Sequence, residues 1–77
     1  MPLFYFDTRD GDRFIRDDIG DDLPDLGKVK IEASRFLAEL ARDVLPGSMK
    51  RVLKVEVRDE WRPVMEACLI FEAILLI

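Results

Sequence analysis

Eight aspartates fall within residues 7 to 25, "DTRDGDRFIRDDIGDDLPD". Carboxylates at that density can hold a hard cation, act as a paired acid and base, or close turns. A calcium loop of the EF-hand kind needs oxygen ligands at positions 1, 3, 5 and 12 around a glycine at position 6. Setting Gly11 at that glycine puts Phe6 first, and setting Gly20 there puts Ile15 first, so both registers fail. A looser Ca²⁺ or Mg²⁺ site from Asp17, Asp18, Asp21 and Asp22 is the weaker alternative, a cation-binding domain. The expectation is plainer: each Asp makes a turn, caps a helix or charges a strand edge, and no metal site is formed.

Other chemistry finds few carriers. The chain has no histidine and a single cysteine, Cys68, whereas a structural zinc site takes four Cys/His ligands. Cys68 and Ser34 therefore lack a histidine base, and Cys68 in its apolar run is expected to be a buried, inert thiol. Two carboxylates working as acid and base need a pocket that moves one pKa, and a chain of 77 residues offers little depth for one. "GSMK" at 47 to 50 lacks the spacing of a phosphate-binding loop and follows a helical pattern rather than a strand. No catalytic residue and no cofactor is expected, so the chain is read as non-enzymatic.

Lys50, Arg51, Lys54, Arg58 and Arg62 form the one basic stretch. A two-stranded ribbon can read DNA, which makes a DNA-binding regulator the alternative function. Glu56, Asp59 and Glu60 lie among those cations, however, and a solvated, neutralised strand face is the simpler reading. The net charge is −4, with residues 7 to 25 acidic and the remainder near neutral, so nucleic acid is not an expected partner.

At 77 residues, 49% of them apolar and 36% charged, the chain is expected to form one domain spanning 1–77, near the lower size limit for a single core without disulfides or metal. A domain that small hides only about 60 to 65% of its unfolded surface, so oligomerisation would help it. One cysteine suits a reducing compartment. Met1 leads into "PLFYFDTRD" with no basic and apolar leader, and a cytoplasmic location is expected. "ACLIFEAILLI" is too short, and with Glu72 too polar, to span a membrane, which takes roughly 20 apolar residues.

The elements follow from periodicity. "LFYFDT" (3–8) and "RFIRD" (13–17) read as two strands joined by Asp10-Gly11, a dipeptide suited to a type I′ turn. That turn would pair Phe6 with Ile15, placing Phe4, Phe6 and Ile15 on one face and Leu3, Tyr5 and Phe14 on the other. After a turn-rich connection, Leu26, Val29, Ala33, Phe36, Leu37, Leu40 and Val44 recur at helical spacing. Asp25 is the expected N-cap, with Asp22 and Pro24 as a competing earlier start, and "LPGS" stops the helix. "RVLKVEVRD" alternates as a half-buried strand, "DEWRP" is a turn, and "VMEACLIF" reads as a strand covered on both faces.

These residues resemble the DUF6894 family of small bacterial proteins of unknown function. The likeness lies in "YFxxRDGxRxIxD" (Tyr5, Phe6, Arg9, Asp10, Gly11, Arg13, Ile15, Asp17), in "LPDL" (Leu23 to Leu26) opening an amphipathic helix, and in "VEVRDE" (Val55 to Glu60). Beyond Glu60 the chain departs from that pattern: Trp61 stands where a glycine is usual, and the tail is more apolar. The resemblance implies a cytoplasmic ββαββ module and brings no activity or catalytic residue with it.

The expected architecture is therefore α+β, ββαββ, a four-stranded antiparallel sheet with one helix on one face. One helix covers one side only. The other side would keep Leu3, Tyr5, Phe14 and half of the apolar last strand, such as Met65, Ala67, Leu69 and Phe71 or their alternates, as an apolar patch that water solvates poorly. Trp61 is expected to pack against the helix end, with an exposed partner contact as its alternative. Leu3, Tyr5, Phe14, Trp61, Leu69 and Phe71 are the candidate interaction residues. A second copy of the chain, a homodimer, is expected to cover that face or the tail "FEAILLI", and an unknown protein partner is expected for the module.

Overall fold

The computed structural model describes residues 2–77. Strand β1 (Leu3–Asp10) and strand β2 (Arg13–Ile15) form the N-terminal hairpin, turned at Gly11 and Asp12. Gly11 takes φ +60° and Asp12 a negative φ, the signature of a type II′ turn, in which glycine is required at the first central position. The turn thus lies one residue later than Asp10-Gly11. Asp10 is held in β1 because Arg51 grips both its carboxylate oxygens, at 2.6 and 2.7 Å. The pairs become Thr8 with Ile15, Arg9 with Phe14 and Asp10 with Arg13. Relative to the expected register the slip is an even step, and since side chains alternate along a strand, every residue stays on its expected face.

β1 continues to Asp10 and β2 stops at Ile15, two residues short of the expected Asp17. A further two-residue strand, β3 (Asp21–Asp22), pairs with Leu3 and Phe4 where a plain connection was expected. Gly20 precedes it at φ +80°, and a Cβ there would come 3.1 Å from the Leu3 side chain and the Phe4 carbonyl oxygen. Only glycine meets both conditions.

Helix α1 (Leu26–Val44) starts where Asp25 caps it, the Asp25 carboxylate accepting from Lys28 N–H at 2.9 Å. It presents Val29, Ala33 and Leu37 to the sheet as buried residues, while Leu26, first in the stripe, remains exposed. A 3₁₀ turn, Leu45–Gly47, ends it. Strands β4 (Lys50–Arg58) and β5 (Pro63–Glu72) complete an antiparallel sheet of order β2-β1-β4-β5, with β3 on the same edge of β1 as β2. The fold is α+β, and its core joins Phe4 and Phe6 of β1, Leu53, Val55 and Val57 of β4, and the buried helix residues. Phe6 and Phe36 meet ring to ring at 5.1 Å.

The last strand differs from expectation. β5 is an edge strand, and α1 reaches over it only far enough to half-bury Met65, Ala67, Leu69 and Phe71 on the helix side. Leu69 and Phe71 therefore belong to the helix side and not to the open face, because they lie opposite Leu53 and Arg51, whose side chains share that side. Cys68 falls on the open face and is exposed, contrary to its reading as buried.

Leu53 is wholly buried while Ile31 on α1 is half exposed. Leu53→Ala is expected to lower unfolding free energy by about 2–5 kcal/mol, and Ile31→Ala to change it by no more than about 0.5 kcal/mol. Urea denaturation of both variants measures the contrast.

Candidate functional site

The acidic segment folds upon itself. β2 and β3 flank the two ends of one edge of β1 and leave the middle of that edge, the one away from β4, without a neighbouring strand, where the Asp17 carboxylate takes that neighbour's place. Phe6 N–H donates to Asp17 Oδ2 at 3.0 Å, and Asp17 N–H donates to Asp7 Oδ1 at 2.8 Å. Asp17 Oδ1 also accepts from Ile19 and Gly20 N–H, closing the turn into β3. Arg58 of β4 binds the same knot: its Nε donates to Asp7 Oδ2 at 2.9 Å and its Nη2 to the Asp17 carbonyl oxygen at 2.8 Å. Its guanidinium lies 4.4 Å from the Tyr5 ring centre, within cation–π range. Asp7 is 6% exposed, and among the described residues no buried side-chain polar atom lacks a partner.

Three other aspartates of the segment have comparable tasks. Asp25 caps α1, Asp10 is forked by Arg51, which also donates to Ser48 Oγ, and Asp18 pairs with Arg16. In the β4–β5 turn, Asp59 Oδ1 accepts from Trp61 and Arg62 N–H. Among the described residues, no group of three or more Asp, Glu or Cys lies close enough together to hold a metal ion.

The open face of the sheet is charged, which corrects the expected apolar patch. Directly across the strands like charges meet, Asp7 with Glu56, Arg9 with Lys54 and Glu56 with Glu66, an arrangement that is unfavourable by itself. Diagonal bridges resolve it: Arg9 to Glu56 at 2.9 Å, Arg58 to Asp7 at 2.9 Å and Lys54 to Glu66 at 3.1 Å. The aromatic residues of this face are roofed by arginines, Tyr5 by Arg58 and Phe14 by Arg9, whose guanidinium carbon is 4.5 Å from the ring centre. Leu3 is half-buried against Gly20. Four of the five cations proposed for a DNA ribbon, Lys50, Arg51, Lys54 and Arg58, have carboxylate partners within 4.0 Å.

The six candidate interaction residues are accordingly not brought together. Leu3, Tyr5 and Phe14 lie on the open side, Leu69 and Phe71 on the helix side, and Trp61 in the β4–β5 turn. Trp61 is 84% exposed and does not pack against the helix end; its N–H is tied into the Asp59 turn, and it borders an open groove shared with Leu26.

Exposed apolar surface gathers instead along β5 and after it. Ile70 is 72% exposed on the open face, and Ile74, Leu75, Leu76 and Ile77 are each at least 70% exposed. Ala73 N–H donates to Met49 O at 2.7 Å, which extends the β4–β5 ladder one step into the tail. Because bonded pairs alternate in an antiparallel ladder, that bond also sets the direction of the rest: Glu66, Cys68, Ile70 and Glu72 turn their backbone N–H and C=O groups to the free edge. The apolar tail was visible in sequence, but Ile70 was not separable from its neighbours in a continuous apolar run. No helix among the described residues is long and apolar enough to cross a membrane.

Asp17 experiences burial, which raises its pKa, but the N–H groups of Phe6, Ile19 and Gly20, with Arg58 nearby, outweigh burial and hold it below the ordinary 3.8. Asp10 is also held low, first by its bond to Arg51, as is Asp59 by Trp61 and Arg62 N–H. A carboxylate with a depressed folded pKa stabilises the fold above its unfolded value and loses that contribution as pH falls through the folded value. Asp17→Asn is expected to cost about 1–2 kcal/mol at neutral pH, because an amide nitrogen would face the Phe6 N–H. Melting curves should show the gap to the native chain narrowing as pH drops below 3.8, with native stability level from neutral down to about pH 5.

No curated protein and no solved structure matches the chain. A family model does: the domain of unknown function DUF6894 matches residues 3–69. The match extends past Glu60, where the motif likeness ended, through the Trp61 turn and most of β5, and it takes in the whole Asp7–Arg58–Asp17 knot. The chain belongs to the DUF6894 family.

Proposed function

We propose that this protein is a non-enzymatic protein-interaction module that works as a homodimer in a reducing, cytoplasmic setting. The observation that carries the reading is the contrast between the two edges of the sheet. On one side β2 and β3 are three and two residues long and separated by the Asp17 knot. Such an edge is blunted against pairing. On the other side β5 runs ten residues without a neighbour, with no lysine in it and no proline after Pro63, and it leads into an exposed apolar tail. Long apolar edges invite another strand.

Self-association rests on this edge and not on an oily second face, since the middle of that face is charged. The non-enzymatic reading is supported by the tasks of Asp7, Asp10, Asp17, Asp18 and Asp25, whose carboxylates are engaged with backbone N–H groups and arginines. An exposed free thiol at Cys68 suits a reducing compartment. Sedimentation equilibrium at micromolar concentration is expected to return twice the 8.9 kDa chain mass; a monomer at every concentration up to about 100 μM, too weak for a specific module, would remove the proposal.

A further inference from the structure

Resting on that homodimer reading, we infer its geometry: two β5 strands pair antiparallel about a two-fold axis at Ile70, and each tail seats beside the partner's Trp61. The backbone groups of Ile70 turn to the free edge, so two copies of it can exchange both hydrogen bonds across the axis. Charge narrows the choice of axis. At Glu66 or Glu72 each glutamate would face its own copy, and at Leu69 Glu66 would face the partner's Glu72, all unfavourable pairings. At Ile70, Glu66 faces the partner's Ile74 and Glu72 faces the partner's Cys68.

Exposure selects among the remaining positions. Ile70 is the one large apolar residue of β5 that is exposed, at 72%, and an axis there sets it against its own copy and pairs Pro63 with the partner's Ile77 across the segment from 63 to 77. Fully extended at ~3.3 Å per residue, that segment spans about 50 Å, the length of the molecule's 52 Å long axis. β1's start, the start of α1 and the β4–β5 turn share one end of the domain, and the tail leaves from the other. Antiparallel pairing therefore delivers each tail to the partner's groove between Leu26, Trp61 and Val64, where Leu26 and Trp61 are exposed. Leu75 lies alongside the partner's half-buried Met65. The exposed side chains of Ile70 and Ile74 to Ile77, with Trp61, supply apolar area of the order of the ~800 Å² per partner that a standard interface buries.

The test uses the full chain. Ile70→Cys in a Cys68→Ser background is expected to form a disulfide-linked dimer on mild oxidation at least ~10-fold faster than the native Cys68, because residues paired at the axis lie about 5.5 Å apart, within disulfide reach. Ile70→Pro removes an N–H that β4 does not use; it is expected to keep the native circular dichroism and weaken dimerisation at least ~30-fold. Trp61 emission should shift to the red on dilution from dimer to monomer. A dimer in which Cys68 cross-links faster, or in which dilution leaves Trp61 emission unchanged, overturns the Ile70 axis or the tail seat while leaving the homodimer standing. A chain that stays monomeric, binds neutral phosphatidylcholine vesicles through its tail, or grows into larger species overturns both.

Discussion

The fold depends on one buried carboxylate and the arginine that faces it. On the edge away from β4, β1 lacks a neighbouring strand along its middle, and a central backbone left open there would expose N–H groups to loss of pairing. Asp17 fills the gap from the side, Asp7 receives the Asp17 N–H in return, and Arg58 reaches across from β4 to hold both. Three segments remote in sequence are thereby fastened at one point: β1, the connection before β3, and β4. The charges support one another because each is hydrogen-bonded and none is left buried alone.

That fastening makes the sheet asymmetric. The β2/β3 edge is short and interrupted by the Asp17 side chain, whereas among the described residues no strand pairs with the outer edge of β5. The helix adds to the asymmetry. Val29, Ala33 and Leu37 seat over the centre of the sheet, and α1 is too narrow to cover β5 completely, so Met65, Leu69 and Phe71 stay half-buried. On the opposite face diagonal ion pairs and arginine-roofed aromatics make the middle of the sheet a surface that water accepts, and Val52 and Ile70 stand exposed toward its β5 edge. Surface pairs of this kind contribute little stability individually; what they achieve is to leave the β5 edge and the tail as the main apolar exposure.

Much of this was legible residue by residue. The cap at Asp25 could be read because a side-chain oxygen before an apolar helical stripe has one common use. The alternation in β4 identified Leu53, Val55 and Val57 as core, and parity kept every side chain of the first hairpin on its face even though the turn lies one residue later than read. Where the pattern lost its period, in "VMEACLIF", both the coverage of the strand and the environment of Cys68 were misread. A continuous apolar run looks the same in sequence whether its second face meets a helix or solvent.

By itself, the sequence determined the local physics: strand and helix periods, the glycine turn, the cap, and the absence of histidine that removes most transition-metal and nucleophilic chemistry. Tertiary structure alone decided which aspartate met which arginine, that the second sheet face became charged, and which strand was left at the edge. Those outcomes depend on contacts between residues such as Asp7 and Arg58 that are far apart in the chain. Local pattern carries no record of strand order, and strand order is what separates a paired backbone from a free one.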